Sequence, residues 1–416
     1  MKQIVVIGGG IVGLSCAYYL RETGNDVTVL EQGDFLDNCS YGNMGYVCPS
    51  HYIPLASPGK VWQGIKWMFN PQSPFYIQPG FNRDVIDWGI KFMRSSNAAH
   101  VKRSNVPLRD LALLSQDEYH SWDTLPEFDF LMQDNGLLEI FNTPEKQHHA
   151  EHIVALGKEL HLETELLDKD QLQQLEKETP INALGAIFFK CDSHVYPNRV
   201  MADLRAALTK RGVRLAPHQE VIQLERSAGS IQKVITKTEE FAASQVVIAA
   251  GSWSKPLAAM AEVLLPLMPG RGYSTTVENG SFQLNHPAIL MERSVALTPL
   301  TSRTMRFGGT MEVVPIGTPP RYRRMQGIVN AVNEYFPKAD FKIPEKDKIW
   351  FGYRPCSADG LPYIGRSKKC SNLLIATGHS MLGMSLGAGT GKLIAQVANE
   401  QTPDIDIAPF APGRFD

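Results

Sequence analysis

Several things are scarce in this 416-residue chain. No apolar run approaches the roughly 18 residues that mark a membrane-spanning helix. The formal net charge is −2; no basic excess is available to track phosphates, which argues against nucleic acid as a partner. The six cysteines, Cys16, Cys39, Cys48, Cys191, Cys356 and Cys370, show no Cys-x-x-Cys spacing and no Cys/His zinc pattern. The reading therefore assigns no metal and expects reduced thiols in a cytoplasmic protein. A signal-peptide layout is missing too, because a short apolar stretch near the N-terminus runs straight into glycines. There is no internal repeat and no low-complexity segment. What remains is ordinary for a soluble globular protein, 43% hydrophobic and 20% charged. The length suits two domains or one large composite unit.

The organising stretch is Ile4-Val5-Val6-Ile7-Gly8-Gly9-Gly10-Ile11-Val12-Gly13. Four apolar β-formers run into Gly8-x-Gly10-x-x-Gly13, then Ala17, Leu20, Gly24, Val27 and Val29 lead to Glu31. That is strand, tight turn, helix and second strand. Gly8 permits the turn, Gly10 lets backbone approach a pyrophosphate, and Gly13 lets helix pack on strand. The helix N-terminus faces the negative charge. Glu31 stands where a carboxylate can accept hydrogen bonds from ribose hydroxyls. A glycine-rich turn in another α/β fold is the alternative.

Residues 37–47 are small, polar and aperiodic, hence a loop leaving the cofactor side of strand two. Its N–H groups, with Ser40 or Asn43, suit a phosphate or a flavin edge; a bare surface connection is the alternative. Further on, Trp62, Ile65, Met68 and Phe69 share helical spacing, with Lys60 and Lys66 between them. Such a face fits the protein's own core, a lid, or a membrane surface. His194 is a candidate base, with a structural histidine as the plainer alternative. Gln245–Gly251 reads as a buried parallel strand ending in small residues that admit a cofactor. Residues 262–340 change to antiparallel sheet carrying Arg271, Tyr273 and Arg306. An arginine fork plus a tyrosine hydroxyl is a natural clamp for a substrate carboxylate; plain sheet arginines are the alternative. The tail returns to strand, glycine turn and helix, and the helix N-terminus after Leu382 points at the cofactor.

With these segments in view, the chain resembles the D-amino acid oxidase-like family of FAD-dependent oxidoreductases, nearest to bacterial D-amino acid dehydrogenases. The resemblance covers nearly the whole chain. Its most specific parts are Ser40-Tyr41-Gly42-Asn43-Met44-Gly45, Gly272-Tyr273-Ser274, Gly352 to Gly360 with Pro362-Tyr363-Ile364-Gly365, and Thr377-Gly378-His379 with Leu382-Gly383. It implies an α/β fold in which a Rossmann-like FAD-binding domain (residues 1–85, 195–258 and 345–416) interleaves with an antiparallel-sheet α+β substrate domain (86–194 and 259–344). It implies non-covalent FAD held by Ile7, Gly8, Gly10, Ile11, Val12 and Gly13, and by Glu31 and Gln32. Further FAD contacts are implied at Ser40, Asn43, Met44, Gly45, Val221, Ala250, Gly251, Trp253 and Arg354, and at Gly378, His379, Leu382 and Gly383. Arg271, Tyr273 and Arg306 are the implied substrate clamps; hydride transfer needs only the neutral amine, so no dedicated base is required, and His379 and His51 are the first candidates to test as one. The implied reaction is oxidative deamination of a D-amino acid by hydride transfer from Cα to flavin N5. A quinone or other electron carrier is the implied acceptor. The aromatic loop at Tyr46 and Tyr52 favours a small or cyclic substrate such as D-proline or hydroxy-D-proline. The face at residues 60–69 suggests peripheral contact with the inner side of the cytoplasmic membrane. An FAD-dependent amine oxidase, a 2-hydroxy-acid dehydrogenase and a non-catalytic flavin subunit of a larger complex stay open as alternatives.

Overall fold

The run Ile4–Ile7 has no polar side chain to show on either face, and it forms the middle of a six-stranded sheet. In a computed structural model that describes residues 1–59, 75–78 and 83–416, Gln3–Ile7 pairs in parallel with Asp26–Leu30 on one side and Gln245–Ile248 on the other. The order is Tyr363–Arg366, Leu373–Thr377, Gln245–Ile248, Gln3–Ile7, Asp26–Leu30, Arg214–Ala216. Only the edge strand Tyr363–Arg366 runs antiparallel to its neighbour. Ile4, Val6, Val27 and Val29 pack under the helices Ile11–Glu22, Ala98–Asp123, Pro197–Lys210 and Gly383–Ala398. Val5, Ile7, Val246 and Ile248 face a three-stranded sheet of Val221–Ser227, Ser230–Thr236 and Glu240–Ala242. Because both faces are covered, the strands read as continuous apolar runs. The stripe at Trp62, Ile65, Met68 and Phe69, with Lys60 and Lys66, lies outside the described residues.

Helix Gly383–Ala398 is wedged between two others. A Cβ on Gly391 would stand 2.5 Å from the backbone carbon of Ser15, and one on Gly389 would stand 3.0 Å from the backbone nitrogen of Ser115. The glycines inside this helix therefore serve close helix packing, and only its first turn reaches the cavity described below.

The second sheet has nine strands. Leu267–Glu278 and Thr304–Val313 pair antiparallel at its heart, and helix Arg324–Tyr335 closes one face with Met325, Ile328, Val329 and Val332. Two segments sit differently from the expected division. Ile349–Ser357, placed with the cofactor unit, pairs along its whole length with Leu267–Glu278 and is part of the large sheet. Helix Ala98–Asp123, placed with the substrate unit, buries Leu108, Leu111, Tyr119 and Trp122 in the core beneath the parallel sheet. A helical period identifies an apolar face but not which sheet that face covers.

Candidate active site

A cavity of about 2290 Å³ lies between the two sheets. A single small-molecule site is typically about 300–1,000 Å³, so the space suits a dinucleotide together with a small substrate. Ile7, Leu30 and Ala376, at the carboxyl ends of three parallel strands, form part of its floor. Gly8 turns the chain there with φ +116°, and a Cβ would run into Ala249 O at 2.5 Å. At Gly10 a Cβ would meet only Ser40 Oγ, at 3.5 Å, so any larger side chain would project into the cavity. Gly10 precedes helix Ile11–Glu22 without a side-chain cap, which leaves that end of the helix dipole available to an anion.

Glu31 accepts Gly9 N at 2.7 Å and Gly33 N at 3.0 Å while lining the same cavity. A carboxylate has about four acceptor positions, so capacity is left for ribose hydroxyls. Ser40 Oγ accepts Ile11 N at 2.9 Å, and Asn43 Oδ1 accepts Gly45 N at 2.8 Å. Both side chains thus shape the loop that borders the cavity. Val12, Gln32, Met44, Val221, Ala250 and Gly251 line it, as do Ile11, Trp253, Leu382 and Gly383. Gly13, Gly45 and Gly378 do not. They back the wall, where added Cβ atoms would strike Gly8 O at 1.9 Å, Val195 O at 2.1 Å and the Tyr363 ring at 2.7 Å. An acid at the sheet edge, a helix end whose N-cap glycine has no capping side chain, and a Gly10 that leaves room for backbone approach fit a bound dinucleotide.

The expected carboxylate clamp is corrected. Arg271 is wholly buried; its Nε and Nη2 donate to Glu312 Oε2 at 2.9 and 2.7 Å, and its Nη1 to Thr318 O. Tyr273 OH donates to the same Glu312 oxygen at 2.8 Å and accepts Arg321 N at 2.7 Å. Arg324 closes the cluster on Glu312 Oε1 at 3.1 Å. Arg271 does not reach the cavity, and Tyr273 lines it with its hydroxyl already committed. Arg306 does not line it either. Its guanidinium donates to Tyr41 O at 2.8 Å, Asn43 O at 2.5 Å, Asn198 Oδ1 at 2.9 Å and Thr276 Oγ1 at 3.0 Å. It holds the residue 41–43 loop in place.

Among the described residues Arg354 is the arginine that lines the cavity. It lies over Gly272, where a Cβ would come 2.3 Å from Cζ. Nη1 donates to Thr310 O at 2.6 Å, and the other N–H groups have no hydrogen-bond partner among the described residues. Desolvation lowers its pKa from the ordinary value, so an anion brought beside it would relieve that penalty. The resemblance, whose specific stretch Gly352 to Gly360 includes Arg354, assigns this arginine to FAD.

His379 is buried; its Nε2 lies 3.0 Å from Thr390 Oγ1, and burial pushes its pKa down to about 3. His51 lines the cavity and is pushed down to about 4. His194 is core: its Nε2 meets Pro299 O at 3.1 Å, and it does not line the cavity. Missed by the sequence reading is Asp192, whose carboxylate comes together with Cys48 and His51, donor atoms all within 4.8 Å. Its oxygens already accept Ser50 N at 3.1 Å, Ser50 Oγ at 2.5 Å and Cys191 Sγ at 3.6 Å. We therefore read the cluster as a hydrogen-bond network.

A family model described as FAD dependent oxidoreductase (DAO) matches residues 3–397. A D-amino acid dehydrogenase of Helicobacter pylori is 30% identical, with 97% of each chain covered. A D-amino-acid oxidase of Bradyrhizobium diazoefficiens is 29% identical over 100% of this chain and 99% of its own. Among solved structures, glycine oxidase from Geobacillus kaustophilus superimposes with a TM-score of 0.80 at 20% identity, covering 100% of this chain and 99% of its own.

Proposed function

The chain belongs to the DAO family of FAD-dependent oxidoreductases, and from that premise we propose that it oxidises the Cα–N bond of a D-amino acid and passes the electrons to a quinone or other carrier. The observation that carries the substrate class is Arg354, a half-buried, cavity-lining guanidinium with most of its donors unspent. Such a fork fits a carboxylate bidentately. The D configuration rests on what the relatives are called. Within that class a small or cyclic substrate is preferred. Tyr46 offers a ring to the cavity wall with its hydroxyl tied to Ala288 O and Leu297 O, whereas Tyr52 lies in the core.

FAD, when bound, supplies the hydride acceptor. The protein's part is orientation and electrostatics. Arg354 anchors the carboxylate, and the anchor fixes where the rest of the substrate lies. His51 and His379, held at about 4 and about 3 by burial, are neutral near pH 7 and add no cation beside the amino group. Gly8, Gly10 and Glu31 would hold the pyrophosphate and ribose end. Among the described residues no helix is long and apolar enough to cross a membrane.

Anaerobic bleaching of the bound flavin by D- and L-amino acids and by 2-hydroxy acids tests this reading. D-amino acids should bleach it. Bleaching only by L-amino acids or only by 2-hydroxy acids would overturn the substrate. Reoxidation by oxygen as fast as by a soluble quinone analogue, with stoichiometric hydrogen peroxide, would overturn the acceptor.

A further inference from the structure

Behind His51 stands a chain of groups to which the substrate reading gives no role. Ser50 Oγ lies 2.5 Å from Asp192 Oδ2 and 3.3 Å from His51 Nδ1. Ser50 N donates to the other carboxylate oxygen at 3.1 Å. A serine hydroxyl has one proton to give, and an ionised carboxylate can only accept. That proton therefore lies toward Asp192, and Ser50 Oγ must accept from His51 Nδ1–H. In a neutral imidazole the remaining nitrogen is then the acceptor. The ring lines the cavity, and Nε2 has no hydrogen-bond partner among the described residues.

We propose that Asp192 and Ser50 hold His51 as its Nδ1–H tautomer, so that Nε2 takes a proton from the substrate's ammonium group before oxidation. The proposal rests on the amino-acid reading above. One substrate N–H bond breaks as the Nε2–H bond forms. The Nδ1 proton passes to Ser50 Oγ, and the Ser50 proton passes to Asp192 Oδ2. The proton comes to rest on Asp192. The ammonium and the carboxylate both lose their charge, the ring ends neutral as the other tautomer, and no electrons change hands. His51 is the catalytic residue of this step; Ser50 and Asp192 position it.

The surroundings suit that assignment. Burial raises Asp192 to about 6, close to a working pH, where a terminal proton acceptor is most effective. Burial holds the ring at about 4, so the proton does not stay on it. Cys48 and Cys191 face the same carboxylate, and burial pushes both thiols above the ordinary value, so they remain uncharged. The phenols of Tyr46 and Tyr52, on the flanking segment, are raised by burial as well. Glu139, from strand Leu137–Phe141, lines the cavity and its charge acts on Cys48, while Glu163 acts on Cys191.

The test uses the FAD-loaded protein and three readouts. First, kcat/KM for an amino acid that bleaches the flavin should fall below about pH 6 in the wild type, where Asp192 is protonated. Ser50→Ala should lower kcat/KM near pH 7 by roughly 100-fold, within the range of a lost acid–base contribution, and should remove that acidic limb. Ser50→Thr should restore both. Second, the Kd for propionate, a carboxylate without an amino group, should stay within about twofold, since only the amine partner has changed. Third, nitrogen-15 NMR of histidine-labelled protein, with His51 assigned by its loss in His51→Gln, should show Nδ1 protonated and Nε2 bare near pH 7. An Nε2–H tautomer, or a Ser50→Ala profile identical to wild type, overturns the proposal. Asp192→Asn repeats the test if it folds, and Ser50→Ala decides alone if it does not. If no amino acid bleaches the flavin, the substrate reading falls, and the NMR tautomer still decides the relay.

Discussion

Replacing Arg306 by methionine distinguishes a substrate anchor from a loop anchor. Arg306 is 4% exposed, and two of its four acceptors, Tyr41 O and Asn43 O, belong to the loop that carries Ser40 to the first helix. Methionine fills much of the same space and donates nothing. Leaving a buried carbonyl unpaired costs about 1–3 kcal/mol, so two would cost roughly 2–6 kcal/mol. Part of this is offset, because burial already penalises the guanidinium and draws its pKa down to about 10. Single substitutions rarely exceed about 4–5 kcal/mol, which places the expected loss near ~3 kcal/mol. Urea unfolding of the FAD-loaded protein should show the midpoint falling with the slope unchanged. Titration of apoprotein with FAD should show affinity weakened by at least about tenfold, equivalent to about 1.4 kcal/mol. In flavin-replete enzyme the KM for the amino acid should move little. A variant with wild-type stability and flavin content, but a KM raised about 30-fold or more, would refute the argument and return Arg306 to the substrate.

Arg354→Met should do the reverse: flavin content and stability hold, while kcat/KM drops by roughly 30- to 5,000-fold, the range of about 2–5 kcal/mol for a lost buried charge pair. Unchanged kinetics would move the anchor elsewhere. Gly10→Val should abolish FAD binding, because its side chain would project where backbone must approach the pyrophosphate; yellow protein after purification would contradict this. Glu312→Ala should leave Arg271, which is wholly buried, without the carboxylate it pairs with and cost about 3–5 kcal/mol; a variant within about 1 kcal/mol of wild type in urea would show that the cluster is not structural. Stability should also fall as pH drops from about 7 to about 4. His51, His194 and His379 titrate near 4, 4 and 3 in the folded chain against an ordinary 6.5. The unfolded chain therefore binds more protons across that window, and stability is lost as pH falls. Asp192, raised to about 6, and Asp203, also raised by burial, oppose this, since such contributions are present at low pH and lost as pH rises, but they are two groups against three. A urea midpoint that is flat or higher at about pH 5 would contradict the balance.

The cofactor half of the molecule is readable in the sequence because its signals are local. Strand, glycine turn, helix and terminal acid all fall between Ile4 and Glu31, and each step is set by neighbours a few residues away. The same holds for the apolar run before Ala250 and for the alternation through Leu267–Glu278. The substrate end is another matter. Arg271, Arg306 and Arg354 look alike in a linear chain, each on a strand and each with a small or aromatic residue beside it. Which one faces the cavity depends on strand register, and a shift of one residue reverses the facing of every side chain. Across the sheet Gly270 pairs with Arg354 and Thr276 with Arg306. The pairing lays Arg354 over Gly272, while Arg271 and Tyr273 both reach Glu312 and Arg306 reaches the loop at Tyr41. Ser50 meets Asp192 across 142 residues of chain. The amino-acid order alone determined the dinucleotide cradle. The partners of its buried charges were decided only by tertiary structure, because burial makes a charge seek whatever polar group the fold brings near, and sequence distance does not measure that.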